Sequence, residues 1–165
     1  SSAASDVYKR QPVPFINGQC QVSGKKAQGV VLKKELTGGT DIFQIDYTSA
    51  YATAVPELEK LIRTFTYNRA GEGTFVIEDR FEAVSGISFE TAITTRADWK
   101  MIGNNRLELV LGGEKMTVDI EAPGVVEFDS ETVEVNSPAY TRIGIRLKKP
   151  LQSGSVRLIM YPSRP

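Results

Sequence analysis

An alternation of apolar and polar residues recurs in segment after segment of this 165-residue chain, and it constrains the fold more than any other feature. In TFVIEDRFEA (74–83), the side chains of Phe75, Ile77 and Phe81 fall on one side of an extended chain. The same period of two recurs at 41–48, 63–68, 106–113, 115–122, 140–149 and 155–162. Because successive side chains of a strand point to opposite faces, this period predicts β-strands with one buried face.

Turn-forming residues separate these stretches. They are TGGT (37–40), GNN (103–105), GGE (112–114) and PG (123–124), and short hairpin loops need such residues because they tolerate positive φ. The one helical signal is PELEKLI (56–62), whose proline suits a first helical turn but which is too short to be stable alone. We therefore predict an all-β, antiparallel β-sandwich of roughly ten or more strands, with at most one short helical turn near 56–62.

Composition narrows the classes of function. The net charge is zero at pH 7, so no basic surface points to nucleic acid or to an anionic membrane, and no apolar run approaches the ~18 residues that span a bilayer. The chain has no histidine, which removes the commonest general base and zinc ligand. Cys20 is the single cysteine, so an internal disulfide is excluded and we interpret this residue as semi-buried and unreactive.

The opening stretch SSAASDVYKRQ (1–11) does not resemble the start of a folded domain, whereas PVPFING (12–18) reads like the middle of one. DVYKRQ looks like the translation of a sequencing adapter in one reading frame. We therefore interpret 1–11 as a disordered tail foreign to the fold, with a natural flexible tail as the alternative. The expected organisation is a single β-sandwich domain at 12–165, truncated from a longer bacterial chain.

Four motifs in the remaining sequence carry a family resemblance. They are VPFINGQCQVSGKKA (13–27), DIFQIDYTSAYA (41–52), LEKLIRTFTYN (58–68) and FVIEDRFEA (75–83). Their order resembles the C-terminal β-sandwich of heparinase II/III-like polysaccharide lyases, by motif from residue 13 to about residue 100 and by strand pattern beyond. The resemblance implies an upstream α-helical toroid in the same parent chain as the main partner.

The resemblance also implies a chemistry. Such lyases cleave acidic, uronic-acid-containing polysaccharides by β-elimination: a base removes the proton α to the neutralised carboxylate, and an acid protonates the leaving oxygen. In this family the sandwich supports the catalytic toroid and forms one wall of the substrate cleft, and some members bind a divalent metal. A periplasmic or secreted bacterial parent is implied, although the compartment itself stays open.

The chain departs from the family pattern at one decisive place. The family histidine falls just before the VP.ING position, where this sequence has YKRQ (8–11). We therefore assign no catalytic residue, no metal ligand and no cofactor to these residues, and we expect the chain to be inactive by itself. The alternative is a non-catalytic carbohydrate-binding module or a structural β-sandwich.

The candidate substrate-binding residues lie near that position. The amides of Asn17, Gln19 and Gln21 suit a sugar cleft, although Asn17-Gly18 is also a good pair for a type I′ turn. Tyr51 and Arg63 complete the candidate set. A tyrosine can act as acid or base where nearby cations lower its pKa, and an arginine can bind a substrate carboxylate with two hydrogen bonds.

Each of the last two candidates also has a purely structural interpretation. Tyr51 suits packing with its hydroxyl bonded, and Arg63 suits an ion pair with Asp46, Glu78 or Asp79. Because Asp79 falls on the apolar side of its strand, it needs a partner. Scattered aromatic residues, including Tyr67 and Trp99, suit the core better than a sugar platform.

Overall fold

The computed structural model describes residues 13–20, 29–134 and 139–163. In that part of the chain it contains twelve strands and one four-residue helix. In chain order the elements are β1 (Phe15–Ile16), β2 (Val30–Leu36), β3 (Thr40–Asp46), α1 (Thr48–Tyr51), β4 (Leu58–Asn68), β5 (Thr74–Ile87), β6 (Phe89–Thr95), β7 (Asp98–Gly103), β8 (Arg106–Leu111), β9 (Glu114–Glu121), β10 (Val126–Val133), β11 (Tyr140–Leu147) and β12 (Leu151–Pro162). The tail interpreted at 1–11 lies outside the described residues.

The strands form two antiparallel sheets of unequal width. The small sheet has the order β1-β6-β11-β10, and the large sheet has the order β2-β3-β4-β5-β12-β9-β8-β7. The predicted all-β sandwich is confirmed. No helix among the described residues has the length and apolar character that a membrane crossing requires.

The core lies between the two sheets. The rings of Phe81 on β5 and Phe89 on β6 stack with their centroids 4.8 Å apart, and both side chains are fully buried. From the large sheet, Val156 and Leu158 of β12 join this core, and the small sheet adds residues such as Ile143 of β11. These residues come from the alternating positions of their strands, because only one face of each sheet is turned towards the other sheet.

The turns occur where the sequence predicts them. The loops at 37–39, 104–105, 112–113 and 122–125 each separate two strands. Gly112 and Gly113 have φ values of 58° and 83°, so the tight connection between β8 and β9 uses the left-handed region that glycine tolerates best.

The helical turn predicted near 56–62 is not found there, because β4 begins at Leu58. The short helix lies earlier, at Thr48–Tyr51. A β-bulge explains the misleading spacing: the register against β5 shifts between Leu58 and Lys60. This extra residue allows Leu58 and Leu61, three positions apart, both to be buried, which imitates the spacing of a helix face.

Candidate functional site

The predicted site begins at the Asn17-Gly18 hairpin, which follows β1. Asn17 and Gly18 have φ values of 50° and 72°, and Ile16 and Gln19 exchange two backbone hydrogen bonds of 2.9 Å. Two consecutive residues with positive φ are the mark of a type I′ turn. The turn interpretation of this pair is therefore confirmed.

The side chain of Asn17 fastens this hairpin to the body of the domain. Its Nδ2 donates to Glu57 Oε1 at 2.6 Å, and its Oδ1 accepts from the backbone N–H of Ser88 at 2.9 Å. The side chain of Gln19 is exposed beside it, whereas Gln21 lies outside the described residues. Asn17 and Gln19 are thus at the surface, with Gln19 the better placed to contact an external molecule.

Tyr51, at the end of α1, lies beneath the hairpin. It is 1% exposed, and its hydroxyl donates to the backbone carbonyl of Pro14 at 2.6 Å. Burial raises the pKa of Tyr51 well above its ordinary value, in spite of the opposing charge of Arg63. This direction is opposite to the one that a tyrosine base needs, so the geometry describes a packed and hydrogen-bonded tyrosine.

Arg63 forms a buried ion pair with Asp79. Arg63 Nε donates to Asp79 Oδ1 at 2.7 Å and Arg63 Nη2 donates to Oδ2 at 2.8 Å. Burial by itself would lower the pKa of Arg63, but the charge and hydrogen bonds of Asp79 hold that pKa above its ordinary value. Of the partners predicted for Arg63, the structure selects Asp79, and the need of Asp79 for a partner is met.

The structure brings the candidates together only in part. The Tyr51 hydroxyl donates to the carbonyl of Pro14, which lies three residues before Asn17 in the chain. Tyr51 and Asn17 are therefore neighbours in the structure. Arg63 is close enough to Tyr51 for its charge to act on the phenol, but it faces the interior at 8% exposure. The role of Asn17, Tyr51 and Arg63 in substrate binding stays a prediction.

A polar cluster on the outer face of the small sheet was not anticipated. The guanidinium of Arg142 lies 4.3 Å from the centroid of the Phe15 ring, and its Nη1 donates to Glu90 Oε2 at 3.2 Å. Burial raises the pKa of Glu90, although Arg142 acts in the opposite direction. With Asp129 and Glu131 these residues line a cavity of about 300 Å³. No local signal could reveal this cluster, because its members are far apart in sequence.

The remaining candidates are dispersed. Trp99 and Tyr47 pack against the core, whereas Tyr67 is 39% exposed, so these aromatic residues form no common platform. Within the described ranges, no three His, Cys, Asp or Glu side chains are grouped to hold a metal ion.

The fold is that of a two-layer antiparallel β-sandwich domain, and several solved structures contain a similar fold. The structure is similar to the crystal structure of heparinase III, with a TM-score of 0.69 and 17% identity over 92% of this chain. It is also similar to the heparan sulfate lyase HepC from Pedobacter heparinus, with a TM-score of 0.73 and 13% identity over 95% of this chain. A third similar structure, a heparinase III called the BT4657 gene product, has a TM-score of 0.69 and 11% identity over 92% of this chain.

The similarity concerns one part of those proteins. This chain covers 23% of the heparinase III chain and 24% of the HepC chain, so it spans about a quarter of their length. No family model matches the sequence, and no curated protein matches it. The resemblance predicted from the four motifs is confirmed for the fold.

Proposed function

We propose that these residues form the β-sandwich of a heparinase II/III-like polysaccharide lyase, a longer chain with an upstream α-helical toroid. The observation that carries the proposal is the fold, which solved heparinase III and HepC structures match over 92% and 95% of this chain. In this role the domain supports the toroid and forms one wall of the cleft for an acidic polysaccharide.

The reaction proposed for the longer chain is β-elimination at a uronic acid residue. A base removes the proton α to the carboxylate, a carbon–carbon double bond forms, and the glycosidic bond breaks as its oxygen takes a proton from an acid. Polar groups must neutralise the carboxylate for the proton to leave. The sandwich is assigned no proton transfer, because the chain has no histidine and burial raises the pKa of Tyr51.

The proposed contribution of the sandwich is contact and positioning. Asn17 and Gln19 lie on the exposed hairpin, where their amide groups can form hydrogen bonds with glycan hydroxyls or with a uronate. Gln21, two residues further along the sequence, is the third amide of this candidate set. Tyr51 and Arg63 are buried, so we assign them a positioning role: Tyr51 holds the hairpin segment through Pro14.

The test begins with the genomic reading frame that encodes these residues. The longer product should generate unsaturated uronate ends, measured by ultraviolet absorbance, from heparan sulfate or another uronic-acid polymer, and the 165-residue chain alone should not. In the longer chain, Gln19→Ala should raise KM several-fold with little change in kcat, because a single lost hydrogen bond costs about 0.5–1.5 kcal/mol. Glu72→Ala, in the exposed β4–β5 loop, is the matched control.

Three results would contradict the proposal in different ways. A reading frame without a further domain, or a longer chain that eliminates none of these polymers, would overturn the assignment to a lyase. Cleavage by the 165-residue chain alone would place the chemistry in the sandwich. A longer chain that binds the glycan without cleaving it would favour the carbohydrate-binding alternative.

A further inference from the structure

The inward face of the large sheet is only partly covered by the small sheet, and β4 shows where the cover ends. Exposure increases along the strand. Leu61 and Arg63 are 1% and 8% exposed, Phe65 is half-buried, and Tyr67 is 39% exposed. These alternate residues share one face of the strand. The face therefore emerges from beneath the small sheet towards the end of β4.

A row of three phenylalanines occupies this emerging face. Phe43 on β3 is opposite Phe65 on β4, and their ring centroids are 6.4 Å apart. The Phe65 and Phe75 centroids are 6.3 Å apart. All three rings are half-buried, and none of them belongs to the core cluster formed by the described residues. The rings therefore form a row of neighbours outside that core cluster.

The same face continues across the sheet into an apolar groove. Phe75 is opposite Met160 on β12, and two residues later Pro162 is opposite Met116 on β9. The groove has a volume of about 390 Å³ and is lined by Leu109, Leu111, Met116 and Pro162 together with Thr95 and Ala97. Leu111 is 61% exposed and Met116 is 40% exposed. We call the phenylalanine row and this groove together the apolar belt.

Charged groups border the apolar belt at both ends. At one end Arg69 pairs with Asp41 and lies 5.2 Å from the centroid of the Tyr67 ring. At the other end Glu114 and Lys115 line the groove. An apolar centre with a charged rim is the usual anatomy of a protein–protein interface, and a contiguous apolar surface of this kind marks an interaction site.

We propose that the apolar belt is the surface on which another domain of the same polypeptide docks, an inference that rests on the proposed function. Chain length favours this occupant, because this fold makes up only 23% and 24% of the matched chains. A domain tethered in the same chain has a high effective concentration, so a partly polar surface suffices to hold it. A sugar polymer fits less well, because neighbouring phenylalanine rings are tilted by 38° and 33° and offer no flat platform.

The test uses single thiols in a Cys20→Ser background. Phe65→Cys places a thiol in the phenylalanine row of the apolar belt, and Leu111→Cys places one in its groove. Val84→Cys, at a position 61% exposed on β5 outside the belt, is the control. Rates of maleimide labelling are compared between the 165-residue chain and the longer natural chain. In the longer chain the two belt thiols should react at least about tenfold more slowly, because they become accessible only through local opening, and the control should not change. Leu111→Cys keeps the test valid if Phe65→Cys does not fold.

The outcomes separate this inference from the proposed function. Equal labelling of both belt thiols in an active longer chain would overturn the docking surface and leave the lyase assignment intact. A discrete dimer of the 165-residue chain in sedimentation, with slow labelling of both belt thiols, would make a second copy the occupant and overturn the inference. A reading frame without a further domain would defeat the proposed function and this inference together.

Discussion

Arg63 and Asp79 lie opposite each other on β4 and β5 and share two parallel hydrogen bonds of 2.7 Å and 2.8 Å inside the sandwich. Thr91, on the small sheet, donates to the same carboxylate at 3.2 Å. The pair therefore also connects the two sheets by polar contacts. Both ions lose hydration in this position, so their mutual contacts compensate for burial rather than add much net stability.

We predict a strong asymmetry between single and double substitutions of this pair. Asp79→Asn should lower the free energy of unfolding by about 3–5 kcal/mol, because it leaves a buried guanidinium without its counter-charge. The double variant Arg63→Met, Asp79→Leu should recover most of this loss. Urea denaturation of the parent protein and the two variants measures the effect, and an Asp79→Asn variant as stable as the parent protein would show that the charges are not buried.

Tyr51 should make stability fall in alkaline solution. Burial raises the pKa of Tyr51 above its unfolded value, so its stabilising contribution is complete below pH ~10. Above that pH the unfolded chain releases a proton that the native state retains, and stability falls by up to about 1.4 kcal/mol per pH unit. Urea denaturation between neutral pH and pH ~11 should show this slope.

Tyr51→Phe is the matched control for the alkaline slope. It removes the ionisable hydroxyl and keeps the ring, so the part of the slope due to Tyr51 should disappear. At neutral pH it should cost about 1–3 kcal/mol, because the buried carbonyl of Pro14 loses its donor. Hydrogen exchange should then become faster at the backbone N–H of Asn17. An unchanged alkaline slope in Tyr51→Phe would contradict the buried position of Tyr51.

Glu90 should show its burial in mildly acidic solution. Burial raises the pKa of Glu90 above its ordinary value, against the influence of Arg142. The native state therefore retains the proton to higher pH than the unfolded chain, and the stability that this provides is lost as pH rises from about 4. Glu90→Gln lacks this loss, so its stability relative to the parent protein should improve between pH 4 and pH 7. Urea denaturation at these two pH values measures the change. If the stability of Glu90→Gln falls relative to the parent protein between pH 4 and pH 7, the assigned direction of the pKa shift is wrong.

A methyl group at Gly144 should fit only after the Asp129 carboxylate turns away, and this side chain is already 60% exposed to solvent. A Cβ at Gly144 on β11 would overlap Asp129 Oδ1 and lie 3.0 Å from Glu90 Oε1. Gly144→Ala should therefore destabilise the domain by about 1 kcal/mol, chiefly through the tight contact with the buried Glu90 carboxylate. Adding Asp129→Ala should restore part of the loss, since the carboxylate that overlaps the methyl group is then absent. Thermal unfolding of the two single variants and the double variant measures this coupling, and purely additive effects would contradict it.

Several features of the fold follow from local sequence alone. In β11, Ile143, Ile145 and Leu147 occupy alternate positions and are all buried, since alternate residues of a strand share one face. The Asn17-Gly18 turn was predictable for the same reason: two residues that tolerate positive φ encode a tight turn without distant contacts. The order of the four motifs also pointed to the fold that the solved structures share.

Other features could not be predicted because they depend on pairing. The spacing of Leu58 and Leu61 resembles a helix, and only the bulge against β5 converts it into a strand with both leucines buried. Tyr51 and Arg63 each had a structural interpretation, but the partners Pro14 and Asp79 were selected by the packing of α1 and by the register of β4 against β5.

The alternating pattern thus determined the strands and the buried face of each, because the direction of a side chain along a strand is a local property of the backbone. Tertiary structure decided the rest: which strands are neighbours, which charges meet, and where the small sheet stops covering the large one. Arg142, Glu90 and Phe15 converge only after three strands have paired, and the apolar belt exists only because one sheet is wider than the other. Contacts between residues distant in sequence are set by the global packing of the two sheets, which no local pattern records.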